Sequence, residues 1–193
     1  MRVTRQQAAE NRRRVLHLAS RRFRERGLSG VGVADLMQEA GLTHGGFYKQ
    51  FESKESLAAE ACAAAIAENL AGYQELAKKD PCHVLAHVIS NAISDLHRNS
   101  PGEGCLLAAA GADISRSNAP VRRGVTDGVR KIIDFLSGLM PGRSRKQARR
   151  KAITTYATVV GSLVVARAVD DPDFASEILT AARESLLESL GQE

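Results

Sequence analysis

The chain has no tryptophan, and aromatic residues fill only 4% of its 193 positions. A core must therefore be built from Ala, Leu, Val and Ile, a composition suited to closely packed helices. The three cysteines, Cys62, Cys82 and Cys105, are odd in number and show no CxxC spacing. They give no basis for a disulfide framework or a structural zinc site and fit a reducing compartment. There are only 5 prolines, and most fall between periodic segments, where helices end. No apolar run approaches the roughly 20 residues needed to span a bilayer. No apolar stretch follows the basic N-terminus, as a signal peptide requires. Nucleophile-elbow, phosphate-loop, HExxH and paired-carboxylate patterns are all missing. The expectation is a cytoplasmic protein with no membrane partner, no enzymatic activity and no cofactor.

What is present is charge, unevenly placed. Residues 1–50 hold 10 Lys+Arg against 4 Asp+Glu, a net of +6, whereas residues 51–193 hold 17 against 18, a net of −1. A basic first quarter on a near-neutral chain points to a polyanion partner for that end, nucleic acid first among them, although a solvated basic helix face is the commoner meaning of such a run.

Apolar periodicity predicts helices throughout. Val15, Leu16, Ala19 and Phe23 define one from Asn11 to Arg26, with Arg12, Arg13, Arg14, Arg21, Arg22, Arg24 and Arg26 on its other faces and Gly27 ending it. A short helix follows over Val33–Ala40, stopped by Gly41. Thr43 then caps a third, from about His44 to Phe51. Ser53 caps a long Ala-rich helix reaching about Lys79, which Asp80-Pro81 breaks. Further helices are expected at about 82–98, 104–115, 119–139, 144–169 and 172–190. No segment alternates with period two, so no sheet is expected. The reading is an all-α protein of about nine helices.

The three short helices, with the Ala40-Gly41-Leu42-Thr43 turn between the second and third, form a helix-turn-helix. Glycine suits the left-handed turn and Leu42 can plug the core beneath it. From Val33 to Leu57 the chain reads VADLMQEAGLTHGGFYKQFESKESL. That stretch resembles the DNA-binding region of the TetR family of bacterial repressors in its Gly27-terminated first helix, the Gly41 turn, Phe47-Tyr48, Phe51, Lys54 and Leu57. Many members of that family carry Thr or Ser near the start of the second helix. Here Gly30-Val31-Gly32 leaves no side-chain cap.

The resemblance implies a DNA-binding set of Thr43, His44, Gly45, Gly46, Tyr48, Lys49, Gln50 and Lys54. The chemistry of each fits. Tyr48 can donate its hydroxyl to a phosphate, or serve as core. Lys54 opposes the dipole of the helix it opens, a placement a phosphate explains. Lys49 can reach a base or the backbone. His44, then Gln50, are the candidate base readers. Gly45 and Gly46 let the helix approach DNA closely, at about 1 kcal/mol each in helix propensity.

The resemblance further implies two domains, 1–55 for DNA and 56–193 for ligand binding and dimerisation. The partners are then a palindromic operator duplex, a small-molecule inducer and a second copy joined through the last two helices. Two wide small-residue stripes suit that pairing: Ala148, Ala152, Thr155, Tyr156, Val159, Val160, Leu163 and Val164, then Phe174, Ile178, Leu179, Ala182, Leu186, Leu187 and Leu190. Intrachain core is the alternative for both. Cys105, Leu106, Phe135 and Tyr156 are the candidate ligand contacts, each more ordinarily core. Cys105, at a helix start, is either an inert buried thiol or a sensor. Cys82, His83 and His87 lie close together but lack a completing ligand, so no metal site is assigned. Gly124 and Gly128 mark close helix packing or a ligand-facing wall. A second basic cluster, Arg143 to Lys151, opens a helix. Either it is a solvated face or it meets a partner.

Overall fold

The computed structural model describes residues 4–142 and 144–191. Among these are nine α-helices and two 3₁₀ segments, with no strand: α1 Arg5–Arg26, α2 Val33–Glu39, a 3₁₀ segment His44–Lys49, α3 Lys54–Lys79, α4 Val84–Ala92, α5 Asp95–Asn99, a 3₁₀ segment Pro101–Glu103, α6 Leu106–Ser115, α7 Ala119–Leu139, α8 Arg145–Ala168 and α9 Pro172–Gly191.

Three boundaries differ from the sequence reading. Helix α1 begins six residues early, because Thr4 caps it by accepting the Gln7 N–H at 3.2 Å. The helix expected over 82–98 is two. Ile93 leaves helical geometry and Ser94 starts α5 by accepting the His97 N–H. The third helix of the head is a 3₁₀ segment ending at Lys49, not an α-helix reaching Phe51. Gly45 and Gly46 account for that, since two glycines in six residues remove most of the α propensity.

The head forms where α1, α2 and the first 3₁₀ segment close over Val15, Ala19, Phe23, Leu36, Met37, Phe47, Phe51 and Leu57, all nearly sealed from solvent. Two glycines set its corners. Gly27 ends α1 at φ 73° and Gly41 turns α2 at φ 68°, left-handed values open to glycine at little cost. After Gly41 the Leu42 N–H returns to the Met37 carbonyl at 2.8 Å.

Helix α3 belongs to both halves of the molecule. It packs against α1 on one side and along α7 on the other. α7 advances in the same direction as α3: a Cβ on Gly124 would lie 3.6 Å from the Ala59 carbonyl oxygen, and one on Gly128 only 2.7 Å from Ile66 Cγ2. The two glycines thus serve close helix packing. Helix α8 returns beside α7 and α9 packs on α8. No described helix is long and apolar enough to cross a membrane.

Candidate nucleic-acid interface

Phe47 and Phe51 anchor the reading segment from below. Their rings lie 5.6 Å apart, and Phe47 is 1% exposed. Arg12 locks the segment's far end. Its guanidinium stands 4.7 Å from the centre of the Phe51 ring, its Nε–H donates to the Gln50 carbonyl, and its Nη2 pairs with Glu60 at 2.6 Å. With one face buried, the other presents Thr43, His44, Gly45, Tyr48 and Lys49 to solvent. Tyr48 is 69% exposed, its ring held edge-on to Phe47 at 5.2 Å and to His44 at 6.2 Å. That is the orientation of a hydroxyl donor, not of a core ring.

Three of the expected residues are placed differently from the simplest sequence picture. Thr43 occupies the cap position but its hydroxyl accepts no bond from the segment. Gln50 is half-buried and its Oε1 is shut away from solvent without a partner, so it turns partly inward. Gly46 is half-covered, with a would-be Cβ 3.6 Å from both Met37 Cε and Thr43 Oγ1, whereas Gly45 faces open space. Lys54 opens α3 one residue after Ser53, whose hydroxyl accepts the Ser56 N–H at 3.1 Å.

Part of the basic character of α1 is spent inside the molecule. Arg22 binds both Glu25 and Glu39, and Arg21 binds Glu25. These contacts hold both carboxyls below their ordinary range, Glu25 first through Arg21 and Glu39 first through Arg22. Arg24 is not on an outer face as its helical position suggested. It is 5% exposed, burial lowers its pKa, and its Nη1–H reaches only the Gly104 carbonyl, at 3.4 Å. The reason is α6 and the turn before it, which cover that side of α1.

The joint between head and body is built there. The Leu28 N–H donates to Asp113 Oδ2 of α6 at 2.9 Å. Cys105 caps α6 in the buried joint, its N–H donating to His97 Nε2 at 2.8 Å. The accepting nitrogen must be unprotonated, and burial, with Arg167 and Arg24 nearby, lowers the His97 pKa accordingly. The structure brings Tyr156 to Cys105. Burial first, then Cys105 and Tyr73, push the Tyr156 phenol well above its usual range. Leu106 is fully in the core and Phe135 packs half-buried on it from α7. Arg24 Nε, Arg167 Nη1 and Ser20 Oγ are buried without hydrogen-bond partners. Cys62 is buried too, its thiol pushed up to about 11 by desolvation. Sequence reading missed Arg24, His97 and Arg167 at this joint. Their signal is tertiary, since residues 24, 97 and 167 meet only after folding.

His97 gives the joint a pH dependence. The unfolded histidine titrates near 6.5 and the folded one below it, so under acid conditions the unfolded chain binds the extra proton. Stability is therefore full above about pH 6.5 and falls as pH drops toward the folded pKa. Denaturant midpoints measured from pH 7.5 down to 5 should decline, and His97→Gln, which keeps an acceptor but does not titrate, should flatten the decline. An equal slope in both proteins would remove His97 as its source.

Elsewhere, Cys82, His83 and His87 make no metal cluster among the described residues. His83 and His87 instead lie against Asp80. The second basic cluster starts α8, where Arg149 pairs with Asp134 in the last third of α7. Arg143 falls outside the described residues.

Residues 15–61 match the family described as bacterial regulatory proteins, tetR family. A curated relative, the HTH-type transcriptional regulator AcrR of Shigella flexneri, is 31% identical over 104 residues, 50% of this chain and 48% of the relative. The chain thus aligns with about half the length of that relative. Solved structures with the same fold include reduced NemR of E. coli (TM-score 0.77, 20% identity, 94% of this chain and 97% of that one). A TetR-family regulator from Agrobacterium tumefaciens gives 0.77 at 22% identity, covering 95% and 98%. A regulator from Legionella pneumophila gives 0.78 at 18%, covering 92% and 95%.

Proposed function

We propose that this chain, whose residues 15–61 match the tetR family of bacterial regulatory proteins, is a homodimeric transcription repressor of that family, released from a palindromic operator by a small molecule. The observation that carries the DNA-binding reading is the split of one short segment into two faces. Phe47 is sealed in the core while His44, Tyr48 and Lys49 stand in solvent, beside a lysine that opens α3. In this reading His44 reaches base edges in the major groove, Gly45 and Gly46 permit the approach, and Thr43, Tyr48, Lys49 and Lys54 hold phosphates. Gln50 contributes from the segment's inner edge.

The domain assignment follows: a head over residues 1–55, and a ligand-binding and dimerisation body over 56–193. The head is tethered to the body through Leu28–Asp113 and Arg24–Gly104. A ligand that favours one position of α6 therefore biases the position of both heads, which must stand about 34–36 Å apart to read adjacent major grooves. We place the ligand beside Cys105, Leu106, Phe135 and Tyr156. The partnerless N–H groups of Arg24 and Arg167 favour a molecule bearing acceptor oxygens there.

The test of the DNA reading is a salt titration on duplex DNA. Lys54→Ala should weaken binding to every sequence and flatten the plot of log K against log salt by about one unit for each phosphate no longer neutralised. An unchanged slope means that Lys54 touches no phosphate. Failure of the wild-type protein to bind any duplex in dilute salt overturns the reading itself.

A further inference from the structure

Helix α3 opens on a cation, Lys54, and α7 carries two, Arg122 and Arg123, at its fourth and fifth residues, against the helix dipole, and the two helices begin side by side. Because α3 and α7 run in the same direction, their first turns lie at one end of the molecule, the end that carries the head. A cleft of about 200 Å³ joins them, lined by Lys54, Glu55 and Ala58 from α3, Ser29 from the loop after α1, and Asn118 and Val121 from the start of α7. The first turn of α7 is firmly built: the Asn118 side chain accepts the Val121 N–H at 3.1 Å, and Pro120 is the second residue of the helix. Its next two residues after Val121 are Arg122 and Arg123. Both are exposed, and neither has a carboxylate partner among the described residues. Their neighbours are paired, Arg116 with Asp113 and Arg130 with Asp127. Helical side chains lean toward the N-terminus of their helix, so these two guanidinium groups lean toward the head. Glu55 is the one carboxylate lining the cleft among the described residues. Glu55 and Lys54 offset each other in that lining, and the positive excess at this end comes from Arg122 and Arg123, which follow the cleft residue Val121.

We propose that Arg122 and Arg123 form a second contact to the sugar-phosphate backbone, made by the body and lying next to the phosphate held by Lys54. This rests on the DNA-binding reading above and extends the footprint beyond the helix-turn-helix. The contact reads no bases. It grips backbone flanking the half-site and ties the body directly to the duplex, so any tilt of α7 against the head alters the fit to DNA at two places at once.

The experiment uses the full chain and a fluorescein-labelled duplex of random sequence, about four helical turns long, because a phosphate contact is independent of sequence. The double variant Arg122→Ala/Arg123→Ala should lower the slope of log K against log salt by about two units for each engaged protomer. Arg122→Lys/Arg123→Lys should restore it. The charge-matched control is Arg145→Ala/Lys146→Ala, on α8. The α8 start lies beside Asp134, about 16 Å along α7 from Arg123 at 1.5 Å per residue. That control should leave the slope unchanged. Thermal stability should not fall in the α7 variant, since removing cations from a helix start relieves the dipole. If Lys54→Ala lowers the slope and the α7 variant does not, the proposal is overturned while the DNA reading stands. Equal reductions in the α7 variant and the α8 control also overturn it, because net charge alone would then explain both. If the wild-type protein binds no duplex, the parent reading has failed and this contact with it.

Discussion

Phe47→Ala should cost about 3–5 kcal/mol in folding free energy and abolish DNA binding, the largest effect expected of any single substitution in the head. Phe47 is 1% exposed and central to the reading segment, with the Phe51 ring 5.6 Å away and Tyr48 edge-on at 5.2 Å. The segment has little else to hold it. It is six residues of 3₁₀ helix containing two glycines, with no side-chain cap at Thr43. Local propensity therefore contributes almost nothing, and the buried ring sets the position of every exposed residue around it. Denaturant unfolding should show the loss of stability. Hydrogen exchange should show it concentrated in residues 33–51, with the body more protected. Phe47→Leu, which keeps most of the volume, should retain measurable binding. If Phe47→Ala bound DNA as the wild type does, the segment would have to be held by something other than this core.

Gly161→Glu/Val164→Glu should convert the proposed dimer to a folded monomer and weaken operator binding by about 10²–10⁴-fold, the advantage of two linked heads over one. The basis is a revision of the expected interface. Ala148, Ala152, Thr155, Val159 and Leu163 of the stripe expected for dimerisation are buried inside the chain, as are Leu179 and Leu186 of α9. They are core, the alternative that sequence left open. What α8 leaves outward is a neighbouring strip of Ile153, Ala157, Gly161, Val164 and Val165, with Val164 45% exposed, and α9 adds Phe174 at 48%. Small residues in its middle let a second helix approach closely, and a twofold axis there would bring each residue near its own copy. Glutamates at such positions face each other as like charges, while a single chain tolerates them in solvent. Sedimentation equilibrium gives the oligomeric state and a DNA titration the affinity. A persistent dimer with unaltered binding would move the interface elsewhere.

The helical class, the Gly27 and Gly41 corners and the head's apolar anchors were legible in the linear order of residues, whereas Tyr48, which sequence left open between core and surface, was turned outward only by the fold. Each of the legible features follows from interactions within a few positions: apolar spacing, a cap, a glycine at a left-handed turn. Even the missing cap before α2 was visible in Gly30-Val31-Gly32, and Gly32 indeed caps without a side chain. Folding alone decided the rest. The arginines of α1 looked alike on its outer faces, yet Arg24 became a buried joint residue and Arg12 and Arg22 were taken up by Glu60 and Glu39, partners 48 and 17 positions away. Two basic helix starts looked alike in sequence, Arg145-Lys146 and Arg122-Arg123. The parallel course of α3 and α7 put only the second beside the head. Charge and periodicity are properties of neighbours along the chain, whereas which charge is neutralised, which apolar stripe is used up and which cation faces a partner depend on contacts between helices that sequence spacing does not encode.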